Sequence, residues 1–224
     1  MDNLDSIESS FKDISEAYCC LGTTIKRVGN DKQAFRHVDF DYPDSFASLV
    51  YKKFAEQSKE DDSTKQFFLV TSMGADSNSM FFYNQVKGDI EKACTNRQVD
   101  FQKFITENNS KTTSFSHIIK PGLLIGERVD DERFGEKIAQ GLNNMIGWML
   151  PKSVSGIAGE DVAKAMIQIA ATTREKNQSL LKERDTLQSI GGLNRDQRLS
   201  NHVFAYSNAY LKDFADDYNK KFNL

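Results

Sequence analysis

The sequence predicts an α/β fold: a parallel sheet with helices on both faces, followed by a helical C-terminal extension. Three observations predict it. Short apolar runs such as "QFFLVTS" (66–72) lack in–out alternation, as strands covered on both faces do. These runs alternate with longer stretches in which apolar residues recur every three or four positions, the pattern of helices joining parallel strands. Beyond Ala171 the chain turns strongly polar, which divides it into 1–171, a sheet domain, and 172–224, the extension.

Taken in order, Leu4, Ile7, Phe11 and Ile14 recur at helical steps. "AYCCLGTT" (17–24) is a buried strand over 18–21, ended by Gly22. A loop containing Gly29 and Asn30 leads to helix from 31 to about 56. Pro43 there starts a second helix or kinks the first, because proline has no N–H to donate. A charged turn, "SKEDDSTK", precedes the strand 66–72, and a helix follows over 79–93. The stretch 95–114 has the composition of a polar insertion with one short helix. "FSHIIKPGLLIG" (115–126) is a third strand broken at Pro121-Gly122, and helices are expected over 132–149 and 159–171. In the extension, Leu180, Leu181, Leu187 and Ile190 form a narrow helical stripe. Tyr210, Phe214, Tyr218 and Phe222, four apart, form an aromatic packing face.

Composition narrows the function classes. With 27% charged and 39% apolar residues the chain is an ordinary globular one, and its net charge of −3 leaves no basic excess for nucleic acid. No stretch reaches the ~20 apolar residues of a membrane span, and the acidic start, "MDNLDSIESSFKD", is neither a secretory signal nor a transit peptide. Cys19 and Cys20 are adjacent and Cys94 stands alone, which is no disulfide framework. His37, His117 and His202 lie far apart, so no metal is expected. The expected location is cytoplasmic.

Open parallel sheets bind ligands at the carboxyl ends of their strands. Leu21-Gly22-Thr23, Thr71-Ser72 and Lys120-Pro121-Gly122 fall there, and Tyr83 and Lys87 share one helix face at i, i+4. Such a serine, tyrosine and lysine can support reversible hydride transfer at a carbonyl. The tyrosine passes a proton to the developing alkoxide, the neighbouring ammonium favours its ionised form, and the serine hydroxyl orients the carbonyl oxygen. The lysine would also reach the ribose of a nicotinamide cofactor, and Gly22 would let the backbone approach it. By spacing alone, Tyr-x-x-x-Lys is equally a polar helix face in a chain with 7 tyrosines.

Three segments, "YCCLGTTIKRVGNDKQAFRHVDFDYP", "FFLVTSMGADSNSMFFYNQVKGDIEKA" and "IIKPGLLIGER", resemble in sequence and order the atypical short-chain dehydrogenases/reductases of the HIV Tat-interactive-protein-like group and its fungal mitochondrial-surface relatives. The resemblance covers about Leu4 to Ala171. It implies a Rossmann-like fold, NADP or NAD as cofactor and a small carbonyl substrate. Ser72, Tyr83 and Lys87 match the catalytic positions. Leu21, Gly22, Thr23, Pro121 and Gly122, with Tyr83 and Lys87, match the cofactor-binding ones. Lys120 stands where the family usually has arginine, and Thr71 where it often has a second serine.

The resemblance also implies a gap. Family members begin with a strand, a Gly-x-x-Gly-x-x-Gly turn and a helix that seat the pyrophosphate, and these 224 residues contain no such turn. The expected fold is therefore incomplete, truncated by its first βα units, with strand 18–21 as an exposed edge. The C-terminal aromatic stripe is a candidate cover for that edge. Two readings stand: an oxidoreductase impaired by the truncation, and a non-catalytic regulatory or scaffold protein that engages a protein partner at the strand edge. The resemblance adds the mitochondrial outer membrane surface and the nucleus as alternative locations. Substrate specificity should lie between Gly122 and Gly159, where "GLNNMIGWMLP" reads as core rather than pocket lining.

Overall fold

Strand β2 (Thr64–Val70) lies between β1 (Glu16–Cys19) and β3 (Thr113–Lys120), and β6 (Val203–Ser207) pairs with the far side of β3. All three pairings are parallel. The computed structural model describes residues 4–59, 63–125, 156–189 and 202–222. The helix expected over 132–149 and most of the expected specificity region lie outside the described residues. Phe67, Phe68 and Leu69 of β2 are buried on alternating faces, which explains the run without alternation. The architecture is an incomplete Rossmann-like α/β fold, with β1 at one edge of the four-stranded sheet.

The first helical rod has three parts: α1 (Lys32–Arg36), a π-helical turn (His37–Asp41) and α2 (Tyr42–Gln57). Asn30 takes a positive φ of 63°, and the Asp31 side chain then accepts from the N–H groups of Gln33 and Ala34 to cap α1. Pro43, at the start of α2, cannot bond the carbonyl four residues back. The chain widens into the π turn just before it, with Tyr42 N–H bonded to His37 O. That widened turn holds Asp39 in the interior, 0% exposed.

Helix α3 (Phe82–Glu107) runs straight through the stretch expected to be a polar insertion. Cys94, Phe101 and Ile105 face the core there at helical steps, with Gln98 buried among them. Gln98 is hydrogen-bonded at both ends: Tyr51 Oη and Ser114 Oγ donate to its Oε1, and its Nε2 donates to Ser114 O. A hydrogen-bonded glutamine on the inner face disguised the helix, because a buried amide with partners carries little penalty. β3 then starts at Thr113, inside the same stretch.

Two core clusters cover the two sheet faces. On one, α2, α3 and an N-terminal 3-10 helix (Leu4–Phe11) enclose Val50, Phe54, Phe67, Leu69, Ile90 and Ile118. On the other, α4 (Gly159–Ser189) and α5 (Asn208–Phe222), with its buried Leu211, pack on Phe68 and Ile119. Burying each large side chain contributes roughly 2 to 3 kcal/mol. The second face also carries polar groups. His117 is buried between Gln66 and Tyr206, and burial pulls its pKa down to about 3.

The C-terminal region contains helix, as expected, and also one strand. Helix α4 continues across residues 171 and 172 without a break, and β6 joins the sheet beside β3. The described strand β6 therefore extends the edge opposite β1, while Arg174 of α4 pairs with Glu16 at the start of β1. The aromatic stripe divides: in α5 Phe214 packs against Tyr206 and the second core cluster beside buried Leu211 and Ala215, whereas Tyr210 and Phe222 are exposed. Leu124–Ile125 (β4) leaves the main sheet after the Pro121-Gly122 break and pairs with Ile157–Ala158 (β5).

Candidate functional site

Ser72, Gly22 and Pro121 emerge just past the carboxyl ends of β2, β1 and β3, at one end of the parallel sheet. Thr71 N–H bonds Ile119 O and Met73 N–H bonds Pro121 O at 2.9 Å, so the loops after β2 and β3 are laced together. Gly74, with a φ of 82°, then turns the chain towards α3. Asp76 N–H donates to Asn84 O. Gly88 allows the close packing that follows: a Cβ there would lie 2.1 Å from Ser77 N. The sequence thus folds the serine loop directly against the helix carrying Tyr83 and Lys87.

Lys87 is buried, and its Nζ sits 2.7 Å from Asp39 Oδ1. Asp39 Oδ2 accepts from Thr23 N–H at 2.8 Å. The loop after β1, the π turn and α3 therefore converge on one ion pair. Gly22 lies against it, since a Cβ there would be 3.2 Å from Asp39 Oδ1 and 3.3 Å from Lys87 Nζ. An ammonium has three donors, so the pair leaves Lys87 capacity for further oxygen atoms. Tyr83, one turn before Lys87, is 40% exposed with its ring tilted against Phe35. The Ser72 hydroxyl is buried and has no hydrogen-bond partner among the described residues. A buried hydroxyl left unpaired costs about 1 to 3 kcal/mol, and a substrate oxygen would remove that cost.

A second pair joins the ends of β2 and β3 to α3. Glu91 Oε1 accepts from Thr71 Oγ1 at 2.7 Å, and Glu91 Oε2 accepts from Lys120 Nζ at 2.9 Å. On the far flank, Gly122 N–H donates to Oδ1 of buried Asn208 at 2.9 Å. Asp39, Glu91 and Asn208 were absent from the residues expected in the sequence. Glu91 had a signal, lying one helical turn beyond Lys87. Asp39 had a weaker one, an acid four residues before a helix-interrupting proline. Asn208 had none, because its segment read as separate from the sheet.

Burial pushes the Cys19 thiol up to about 11, so it is no thiolate nucleophile at neutral pH. Among the described residues, no group of three or more His, Cys, Asp or Glu could hold a metal ion, and no helix is long and apolar enough to cross a membrane. The residues present fit the nicotinamide half of a dinucleotide: an unpaired buried hydroxyl, an exposed tyrosine and a buried lysine share one sheet end. For the pyrophosphate half, the 224 residues supply no glycine-rich turn.

The chain is 33% identical over 139 residues to Protein HTATIP2 of Rattus norvegicus, covering 62% of this chain and 47% of that protein. It is 32% identical over 153 residues to "Protein FMP52, mitochondrial" of Candida albicans, covering 67% of this chain and 56% of that one. A Debaryomyces hansenii protein of the same name is 27% identical over 166 residues, covering 74% and 63%. The chain spans about half the length of the curated relatives it matches. No family model matches it. The fungal relatives are named mitochondrial, and this overturns the cytoplasmic location expected from the sequence.

Proposed function

The chain belongs to the HTATIP2-like family of atypical short-chain dehydrogenases/reductases, and from that premise we propose that it works as an NAD(P)-dependent oxidoreductase on a small carbonyl substrate. The single observation that carries this reading is the buried, unpartnered Ser72 hydroxyl beside the helix that bears Tyr83 and Lys87. In this reading the hydride, two electrons with one hydrogen, would come to the carbonyl carbon from NADPH or NADH held beside these residues. Ser72 Oγ–H donates a hydrogen bond to the carbonyl oxygen and fixes its direction. As negative charge develops on that oxygen, Tyr83 transfers its phenolic proton there, giving the alcohol. Lys87 stabilises the resulting phenolate. Asp39 acts through Lys87 as a positioning residue, anchoring the ammonium by the 2.7 Å pair. Leu21, Gly22, Thr23, Pro121 and Gly122 would flank the cofactor. We carry the mitochondrial location named for the fungal relatives to this chain on the same footing.

Titrating NADPH and NADH against the chain tests the cofactor requirement. The nucleotide's own fluorescence should change saturably as it binds. No saturable change at millimolar nucleotide would remove the enzyme reading for these 224 residues.

A second reading rests on a separate observation: β1 has a single neighbour, β2, among the described residues. Its open edge offers unpaired backbone groups to a partner's strand. Slowed hydrogen exchange of the Glu16–Cys19 amides on adding a partner would support that scaffold role, and unchanged exchange would count against it.

A further inference from the structure

We propose that the substrate of this site is a neutral carbonyl compound with apolar flanks, and that anionic 2-oxo acids are disfavoured; this rests on the oxidoreductase reading above. Two independent observations carry it, one apolar and one electrostatic.

The apolar observation is a collar. Of the twelve exposed large hydrophobic residues among the described ones, seven lie within three residues of Ser72, Tyr83 or Gly122. Besides Tyr83 itself they are Met73, Met80, Phe81, Leu123, Leu124 and Ile125. Met80 is 96% exposed and Phe81 72%. The Met73–Pro121 hydrogen bond joins the first and third groups, and the Asp76–Asn84 bond ties the loop leading to Met80 onto α3. The remaining five exposed hydrophobics, Tyr18, Ile167, Phe204, Tyr210 and Phe222, are dispersed over β1, β6, α4 and α5. Scattered surface hydrophobics need no explanation, whereas a group gathered at the mouth of a candidate site does.

The electrostatic observation concerns the two lysines at this sheet end, Lys87 and Lys120. Lys87 is compensated by Asp39 at 2.7 Å and Lys120 by Glu91 at 2.9 Å. An anionic substrate needs an uncompensated cation, and each of these is already matched by a carboxylate. Ser72 offers one unpaired polar group at the centre. One oxygen to bind, apolar surroundings and two lysines already matched by carboxylates together describe a neutral ketone or aldehyde.

The probes are 2-octanone and 2-oxooctanoate, which share a tail and differ by a carboxylate. Binding of each to the unmodified chain is measured by equilibrium dialysis, without cofactor or turnover. The expected result is saturable binding of 2-octanone, at least roughly tenfold tighter than the oxo acid. Met80→Ser combined with Phe81→Ser should weaken ketone binding by roughly tenfold. Tyr210→Ser, at an exposed site on α5, should leave it within about twofold. Equal or tighter binding of 2-oxooctanoate overturns the proposal. So does an absence of saturable ketone binding, or indifference to the Met80/Phe81 changes, which would assign the collar to a protein or lipid surface instead. Because no hydride moves in this measurement, failure of the oxidoreductase reading shows separately, as ketone binding without carbonyl reduction.

Discussion

Two lysine–carboxylate pairs lie at the sheet end that carries Ser72, and they differ in depth. Lys87–Asp39 is sealed, with side chains 6% and 0% exposed, and is anchored by a backbone N–H and capped by Gly22. Lys120–Glu91 is 24% and 18% exposed and shares Glu91 with a threonine hydroxyl. A buried pair is costly to assemble and far more costly to break, because the surviving charge has no water to turn to. A partly wet pair can lose a member and be rescreened. The sealed pair is thus an element on which the fold and the candidate site both depend, and the outer pair is a local brace between strand ends.

The largest expected effect follows from that contrast. Asp39→Ala strands the Lys87 ammonium in the interior and should remove about 3 to 5 kcal/mol of unfolding free energy, read by urea denaturation at neutral pH. A loss below about 1 kcal/mol would mean that water reaches Lys87, and the two pairs would then be equivalent.

Acid sharpens the contrast by locating a different weak point, in the body of the sheet. His117 is held neutral in the fold, with its pKa down from 6.5 to about 3. Between those values the unfolded chain binds a proton that the folded chain refuses. Stability is therefore complete above about pH 6.5 and is lost as pH falls towards about 3, by on the order of 4 kcal/mol at full extent. Unfolding curves from pH 7 to pH 4 should show this slope, and His117→Asn should flatten it. An unchanged slope in that variant would move acid sensitivity elsewhere.

The smallest effect belongs to the outer pair. Glu91→Gln keeps an acceptor for Thr71 and loses only the charge facing Lys120, at an expected cost of about 1 kcal/mol or less. A double-mutant cycle with Lys120→Met should give a coupling energy of the same size. A coupling of several kcal/mol would erase the difference in depth.

The contrast also explains what could be read from the sequence. Parallel strands without alternation, the break at Pro121-Gly122 and the placement of Ser72, Tyr83 and Lys87 at one sheet end all come from local pattern. Local pattern failed where polar residues face inward. Gln98 made a helix look like an insertion because its partners, Tyr51 and Ser114, are distant in sequence. β6 was missed for a different reason: its short apolar run, VFAYS, lies directly before a helical pattern, and three of its five residues are exposed. Asp39 was overlooked because its role depends on a π turn, and a wide turn shows in sequence only as a nearby proline.

The measurement that bears most directly on the account is carbonyl reduction by the chain with NADPH, compared with its Tyr83→Phe variant. The unmodified chain should consume NADPH with stoichiometric alcohol formation. The variant should lose turnover by at least about 100-fold, since the proton donor is gone, with nucleotide binding retained. Equal turnover in the two proteins would contradict the role given to Tyr83, and with it the assignment of Ser72, Tyr83 and Lys87 as a catalytic site.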